Sequence, residues 1–161
     1  MAVSLQDPNL VWQKVNKTLA NANPAARGAF RGLKEYLSQQ KGNPQLQFQS
    51  FGDGDVVAAT GYTPFAAACT LYGVYFIKNG TGTGTATDSW LTIANDTSNT
   101  TDATKFVALM TSVAAQQVFA VYPHGLAFGT DLTISGETSA QDGTESTSGD
   151  SGSGFVIIGA A

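Results

Sequence analysis

The chain has 161 residues, 42% of them apolar and only 12% charged, with 18 glycines and a formal net charge of −4. Its single cysteine, Cys69, and single histidine, His124, exclude an internal disulfide and a Cys/His metal centre. The length suits one domain of ordinary size with an appendage. Low charge with many Gly and Thr fits a turn-rich β-protein, or one that buries much surface against neighbours.

Charge is divided unevenly along the chain. In residues 1–45, Lys14, Lys17, Arg27, Arg31, Lys34 and Lys41 outnumber Asp7 and Glu35, leaving +4. In residues 46–161, Lys78 and Lys105 stand against ten acids, leaving −8. A basic arm on an acidic body points to docking on an acidic protein surface or nucleic acid; a solvated helix face is the plainer reading.

In chain order, Asp7-Pro8 is a helix start, and Val11, Val15 and Leu19 form one apolar stripe to about Asn21. Asn23-Pro24 repeats the start. Phe30, Leu33 and Leu37 share a face, and Gly42-Asn43-Pro44 stops the second helix. Gly28 and Gly32 weaken that helix or admit another backbone. Two helices with such narrow stripes need the body, a neighbouring subunit or another protein to cover them.

Strand patterns begin at Leu46 and Phe48, which alternate with glutamines. A turn at 51–55 and a short strand at 56–59 follow, and Gly61 to Pro64 leads into Ala67–Gly80 (AACTLYGVYFIKNG). This run is apolar at both parities, which predicts burial on both faces as in mid-sandwich. Gly73 predicts a bulge or close backbone approach, and Asn79-Gly80 a turn. Further strands are expected at 89–94, with Trp90 anchoring a core, and at 105–111. Another at 117–122 ends at Pro123, with a turn at His124-Gly125. Strands at 126–128, 131–135 and 155–158 complete the set, the last after a polar loop over 141–154. With no helical crossovers between them, the expected fold is mainly β. It is an antiparallel sandwich, jelly-roll-like, of about eight strands with a short N-terminal helical arm. The arm takes residues 1–44 and the sandwich 45–161.

Chemistry-bearing patterns are sparse. The glycine run from Asn79 to Thr85 lacks the Lys-Ser/Thr and the helix of a phosphate loop, and reads as a hairpin loop. Asp53-Gly54-Asp55 lacks the later ligands of a calcium loop. His124 has no nucleophile and orienting acid around it, and Asp142, Glu145 and Asp150 read as a solvated loop. Four Asn-X-Thr sequons, at Asn16, Asn79, Asn95 and Asn99, read as chance matches. Tyr62, Tyr72, Tyr75 and Trp90 are candidates for a sugar-binding face, with core packing the alternative. Cys69 reads as a core residue. No leader and no run of about 18 apolar residues is present, so the expectation is a soluble chain without catalytic residues, cofactor or metal.

Several ordered features resemble small β-sandwich virion proteins of tailed bacteriophages, the head decoration (cement) and accessory proteins. They are Cys69–Gly80 (CTLYGVYFIKNG), Trp90-Leu-Thr-Ile93, Phe119–Tyr122, and Tyr122–Ser135 (YPHGLAFGTDLTIS), followed by a polar loop and one apolar strand. The resemblance implies a non-enzymatic capsid-surface protein whose partner is the major capsid protein or another virion protein. A homo-oligomer is expected with it, a trimer preferred, in which swapped arms bury apolar stripes that one chain cannot. A carbohydrate- or host-receptor-binding module of a tail or fibre is the alternative. The arm lies outside the resemblance and is the expected docking element, through Trp12, Val15, Leu19, Arg27, Phe30, Arg31, Leu33, Lys34 and Leu37. Protein is preferred to nucleic acid as its partner, since no DNA-reading motif accompanies the cations. On this reading, deleting 1–44 leaves a folded sandwich that no longer binds shells.

Overall fold

Two proline-initiated helices open the chain in a computed structural model that describes residues 5–52, 55, 62–65, 67–78, 89–97, 104–113, 115–137 and 152–161. Helix α1 is Pro8–Thr18, and the Asp7 carboxylate accepts the Asn9 N–H at 2.8 Å. Helix α2 is Pro24–Gln40, and Asn23 Oδ1 accepts the Ala25 N–H at 2.8 Å. Each cap satisfies an amide that the first turn leaves without an intrahelical acceptor. Gly42 and Asn43 take left-handed φ values of 69° and 53°, and the Asn43 N–H returns to the Leu37 carbonyl at 2.9 Å, closing α2.

Among the described residues eight strands follow: β1 (Gln47–Phe51), β2 (Tyr62–Phe65), β3 (Cys69–Lys78), β4 (Ser89–Ala94), β5 (Lys105–Thr111), β6 (Gln117–Phe128), β7 (Leu132–Glu137) and β8 (Gly152–Gly159). They form two four-stranded antiparallel sheets, ordered β1-β8-β3-β6 and β2-β7-β4-β5. That order is the jelly roll, two interleaved Greek keys folded into a sandwich. The strand expected at 56–59, the Asn79-Gly80 turn and the glycine run lie outside the described residues.

The described residues form two cores. The inter-sheet core includes Phe65, Leu71, Phe76, Leu91, Ile93, Phe128, Leu132, Ile134 and Val156. The second lies between the helices and the outer face of the first sheet. There Val11, Trp12, Val15, Leu19, Ala26, Phe30, Leu33 and Leu37 meet Leu46, Tyr75, Phe155 and Ile157. Phe155 is its hub, with ring centroids 4.9 Å from Phe48, 5.3 Å from Phe30 and 5.6 Å from Tyr75. The molecule therefore has three layers: helices, sheet, sheet.

This arrangement explains the apolar runs at both parities. In β8, Val156 and Ile158 enter the inter-sheet core, while Phe155 and Ile157 lie under the helices. In β3 the alternation changes phase at Tyr72–Gly73, where the pairing with both neighbours shifts register. Gly73 meets α2: a Cβ there would lie 2.7 Å from Phe30 Cε1 and 3.3 Å from Leu33 Cδ2. The bulge expected at Gly73 is thus observed, and what approaches its backbone is the Phe30 and Leu33 side chains of α2, not another backbone.

Other expectations are corrected. Strand β6 does not end at Pro123 but runs on to Phe128, and Tyr122 to Gly125 bulge opposite Tyr72. Gly125 has φ +83°, and β6 is the sheet's outer strand, where a proline costs no ladder bond. Residues 62–65 form a strand, and β8 begins at Gly152, inside the stretch read as a loop. Trp90 belongs to neither core: Leu91 and Ile93 point between the sheets, so strand alternation sends Trp90 to the opposite face. Gly28 and Gly32 approach nothing, since a Cβ at either would have open space around it.

Candidate docking groove between the helices

Among the described residues, hydrogen bonds tie the helical arm to its own body at three places. Gln6 and Leu46 exchange backbone hydrogen bonds of 2.7 and 3.2 Å ahead of α1 and β1. Between the helices, the Asn23 N–H donates to Gln117 Oε1 of β6 at 2.7 Å. Near the end of α2, the Tyr36 hydroxyl lies 3.0 Å from His124 Nδ1, with the rings edge-on at 5.2 Å. His124, read in sequence as a turn residue, sits in the β6 bulge and ties a helix to the sheet edge.

This placement sorts the expected docking residues into two groups. Val15, Leu33 and Leu37 belong to the core beneath the helices and are 1%, 1% and 0% exposed. They cover the chain's own sheet, so the apolar stripes are buried without a neighbouring subunit. Trp12, Leu19 and Phe30 also belong to that core, but they line the inner wall of a groove between α1 and α2. Arg27, Arg31 and Lys34 line the same groove from exposed positions on α2. At spacings of four and three residues they form one stripe along the helix. Asn16 and Glu35 complete the lining, and the cavity is about 520 Å³. Sequence reading missed these two because neither lies in an apolar stripe or a basic cluster; only the helix–helix crossing brings them in.

The groove is electropositive and incompletely satisfied. Arg27 Nη1 donates to the Ala20 carbonyl at 3.2 Å, just beyond α1. Arg31 and Lys34 have no hydrogen-bond or ion-pair partner among the described residues. Trp12 Nε1 is the one buried side-chain polar atom among the described residues without an acceptor. Such a group costs about 1–3 kcal/mol relative to a satisfied one. The geometry places two unpaired cations at the rim of a groove whose apolar wall is almost fully buried, an arrangement that favours anionic over neutral groups by charge.

The other candidates do not assemble. Tyr75 is buried beneath the helices, Tyr72 packs at the margin of that core, Tyr62 lies against the inter-sheet core and Trp90 is on the second sheet. These four aromatics form no single face. Burial, with a smaller contribution from the Asp131 carboxylate, pushes the Cys69 thiol up to about 11, as befits a core residue. Among the described residues, no three His, Cys, Asp or Glu side chains converge as metal ligands, and no helix is long and apolar enough to cross a membrane. Comparison of the chain with protein-family models, with curated proteins and with solved structures finds no match.

Proposed function

We propose that this chain is a non-enzymatic structural virion protein that decorates or cements a phage capsid, docking on the shell through the outer side of its helical layer. The observation that carries this reading is the groove between α1 and α2, where Arg31 and Lys34 stand unpaired beside an apolar floor. Two features support it. The jelly roll is an architecture that capsid and lectin domains use as a rigid platform, although fold alone assigns no role. The sandwich is covered on one side by helices that are pinned in three places, so the basic stripe is held in a fixed orientation for docking. The partner is the major capsid protein or another virion protein. The reading includes a homo-oligomer, a trimer preferred, in which each arm stays folded on its own body.

Cosedimentation with phage capsids assembled without the chain tests this. Saturable binding is expected, at a fixed number of copies per capsomer, and it should weaken as salt rises. A chain that stays in the supernatant at low salt contradicts the reading. Saturable binding to immobilised glycans instead would move the chain to the receptor-binding class.

A further inference from the structure

We infer that the groove between α1 and α2 recognises an acidic, extended peptide segment of a partner protein, and that its unpaired cations select carboxylates presented on one side of that segment. The inference rests on the proposed docking role and specifies its chemistry.

The argument starts from spacing. Arg27, Arg31 and Lys34 span eight residues of α2, seven steps or about 10 Å along the helix. About three residues of extended chain cover that distance. Carboxylates on alternate residues of such a segment share a side and lie about 7 Å apart; the open cations Arg31 and Lys34 are about 4.5 Å apart along the helix axis, a difference that their long side chains span. Arg27 is already engaged with the Ala20 carbonyl, which leaves Arg31 and Lys34 as the open charges. Trp12, Leu19 and Phe30 close the groove from beneath at 3%, 2% and 2% exposure, so the segment is held by the cations at the rim and not by an inserted apolar side chain. Trp12 also carries the buried indole N–H without an acceptor, which a peptide carbonyl or carboxylate would supply as the groove opens slightly.

Three observations disfavour a nucleic acid strand. Glu35 lies in the same groove and opposes a continuous line of phosphates. Trp12 is only 3% exposed, so it offers no ring face for a base to stack on. Residues 46–161 carry −8, which raises the cost of approach for a polyphosphate more than for a short peptide with two or three acids.

The test uses the full chain and a fluorescein-labelled peptide of alternating Glu and Leu, about eight residues long so that it overhangs the groove. Anisotropy titrations at low salt are run beside a scrambled Lys-Leu peptide and a labelled oligothymidine, with light scattering on the same samples. Saturable binding of the acidic peptide alone is expected. Arg31→Glu with Lys34→Glu should weaken it at least tenfold, and Glu35→Gln should tighten it a few-fold. All three positions are exposed on α2, and circular dichroism verifies the fold of each variant. No saturable peptide binding overturns the inference. So does tighter binding of oligothymidine, or self-association that the double reversal abolishes, which would make a second copy the occupant. Capsid cosedimentation with the same variants separates the two levels. Capsid binding that survives the reversal removes the groove from docking. Capsid binding lost on reversal without any peptide affinity keeps the docking role and rejects the extended acidic ligand.

Discussion

Gly73→Ala probes the seam between α2 and the first sheet. The added Cβ would lie 2.7 Å from Phe30 Cε1 and 3.3 Å from Leu33 Cδ2, inside ordinary contact distance. Phe30 has little room to retreat: it is 2% exposed, and its ring packs on Phe155 at 5.3 Å. Overpacking of this kind costs about 1–3 kcal/mol. Loss of glycine's unfolded-state freedom offsets about 0.4–1 kcal/mol, so the net loss is about 1–2 kcal/mol. In urea unfolding with a slope near ~2 kcal/mol per molar, the midpoint falls by about 0.5–1 M with the slope unchanged. Phe30→Leu removes the clashing ring atom, so the double variant should lose less than the sum of the two single losses. A neutral or stabilising Gly73→Ala, or strict additivity with Phe30→Leu, would refute the close approach of α2 to β3.

Phe155→Ala removes the hub of the core beneath the helices and should cost about 3–5 kcal/mol in the same assay; a loss below about 1 kcal/mol would mean that the helices do not pack there. Gly28→Ala and Gly32→Ala should each stabilise by about 0.5–1 kcal/mol, since both lie in α2 with open space around a Cβ, and thermal unfolding reads the gain. Cys69 should resist thiol reagents at pH 8 until the chain unfolds. Its folded thiol, raised to about 11 from 9.0, holds its proton more tightly than the unfolded chain does. That contribution is complete below pH 9 and is lost as pH rises toward 11, so Cys69→Ala should flatten that part of the pH–stability curve. Deleting residues 1–44 uncovers Tyr75, Phe155 and Ile157 and should give an aggregating, dye-binding chain. A truncated chain that unfolds cooperatively as a monomer would restore the separable arm that the sequence suggests.

How far the sequence was readable depended on the range of the interactions. Helix starts are local events, and Asp7-Pro8 and Asn23-Pro24 cap as their residue types dictate. Strand runs were legible where both faces are apolar, as in β3 and β8. What covers the second face was not: β3 looks the same whether a sheet, a helix or a neighbour lies over it, and only the pairing of distant segments decides. Pro123 reads locally as a strand end, yet at an outer strand its missing N–H is harmless and β6 continues through a bulge. The size of Trp90 points to the core, while the parity of Leu91 and Ile93 sends it to the other face. The same limit applied to the groove. The cations were visible as a cluster on α2, but their convergence with Trp12, Asn16 and Glu35 depends on how α1 crosses α2. The apolar stripes of both helices cover the chain's own sheet, which their spacing alone does not distinguish from a docking face.

The most direct measurement is backbone and indole amide shift mapping by NMR as the Glu-Leu peptide is titrated into the full chain. The two tryptophans give two indole N–H signals, one from Trp12 in the groove and one from Trp90 on the opposite sheet. The account predicts that the Trp12 indole and the amides of Asn16 and 27–35 move together and saturate while the Trp90 indole stays still. Shifts centred on Trp90 and β4, or a Trp12 signal unmoved at peptide saturation, would contradict it.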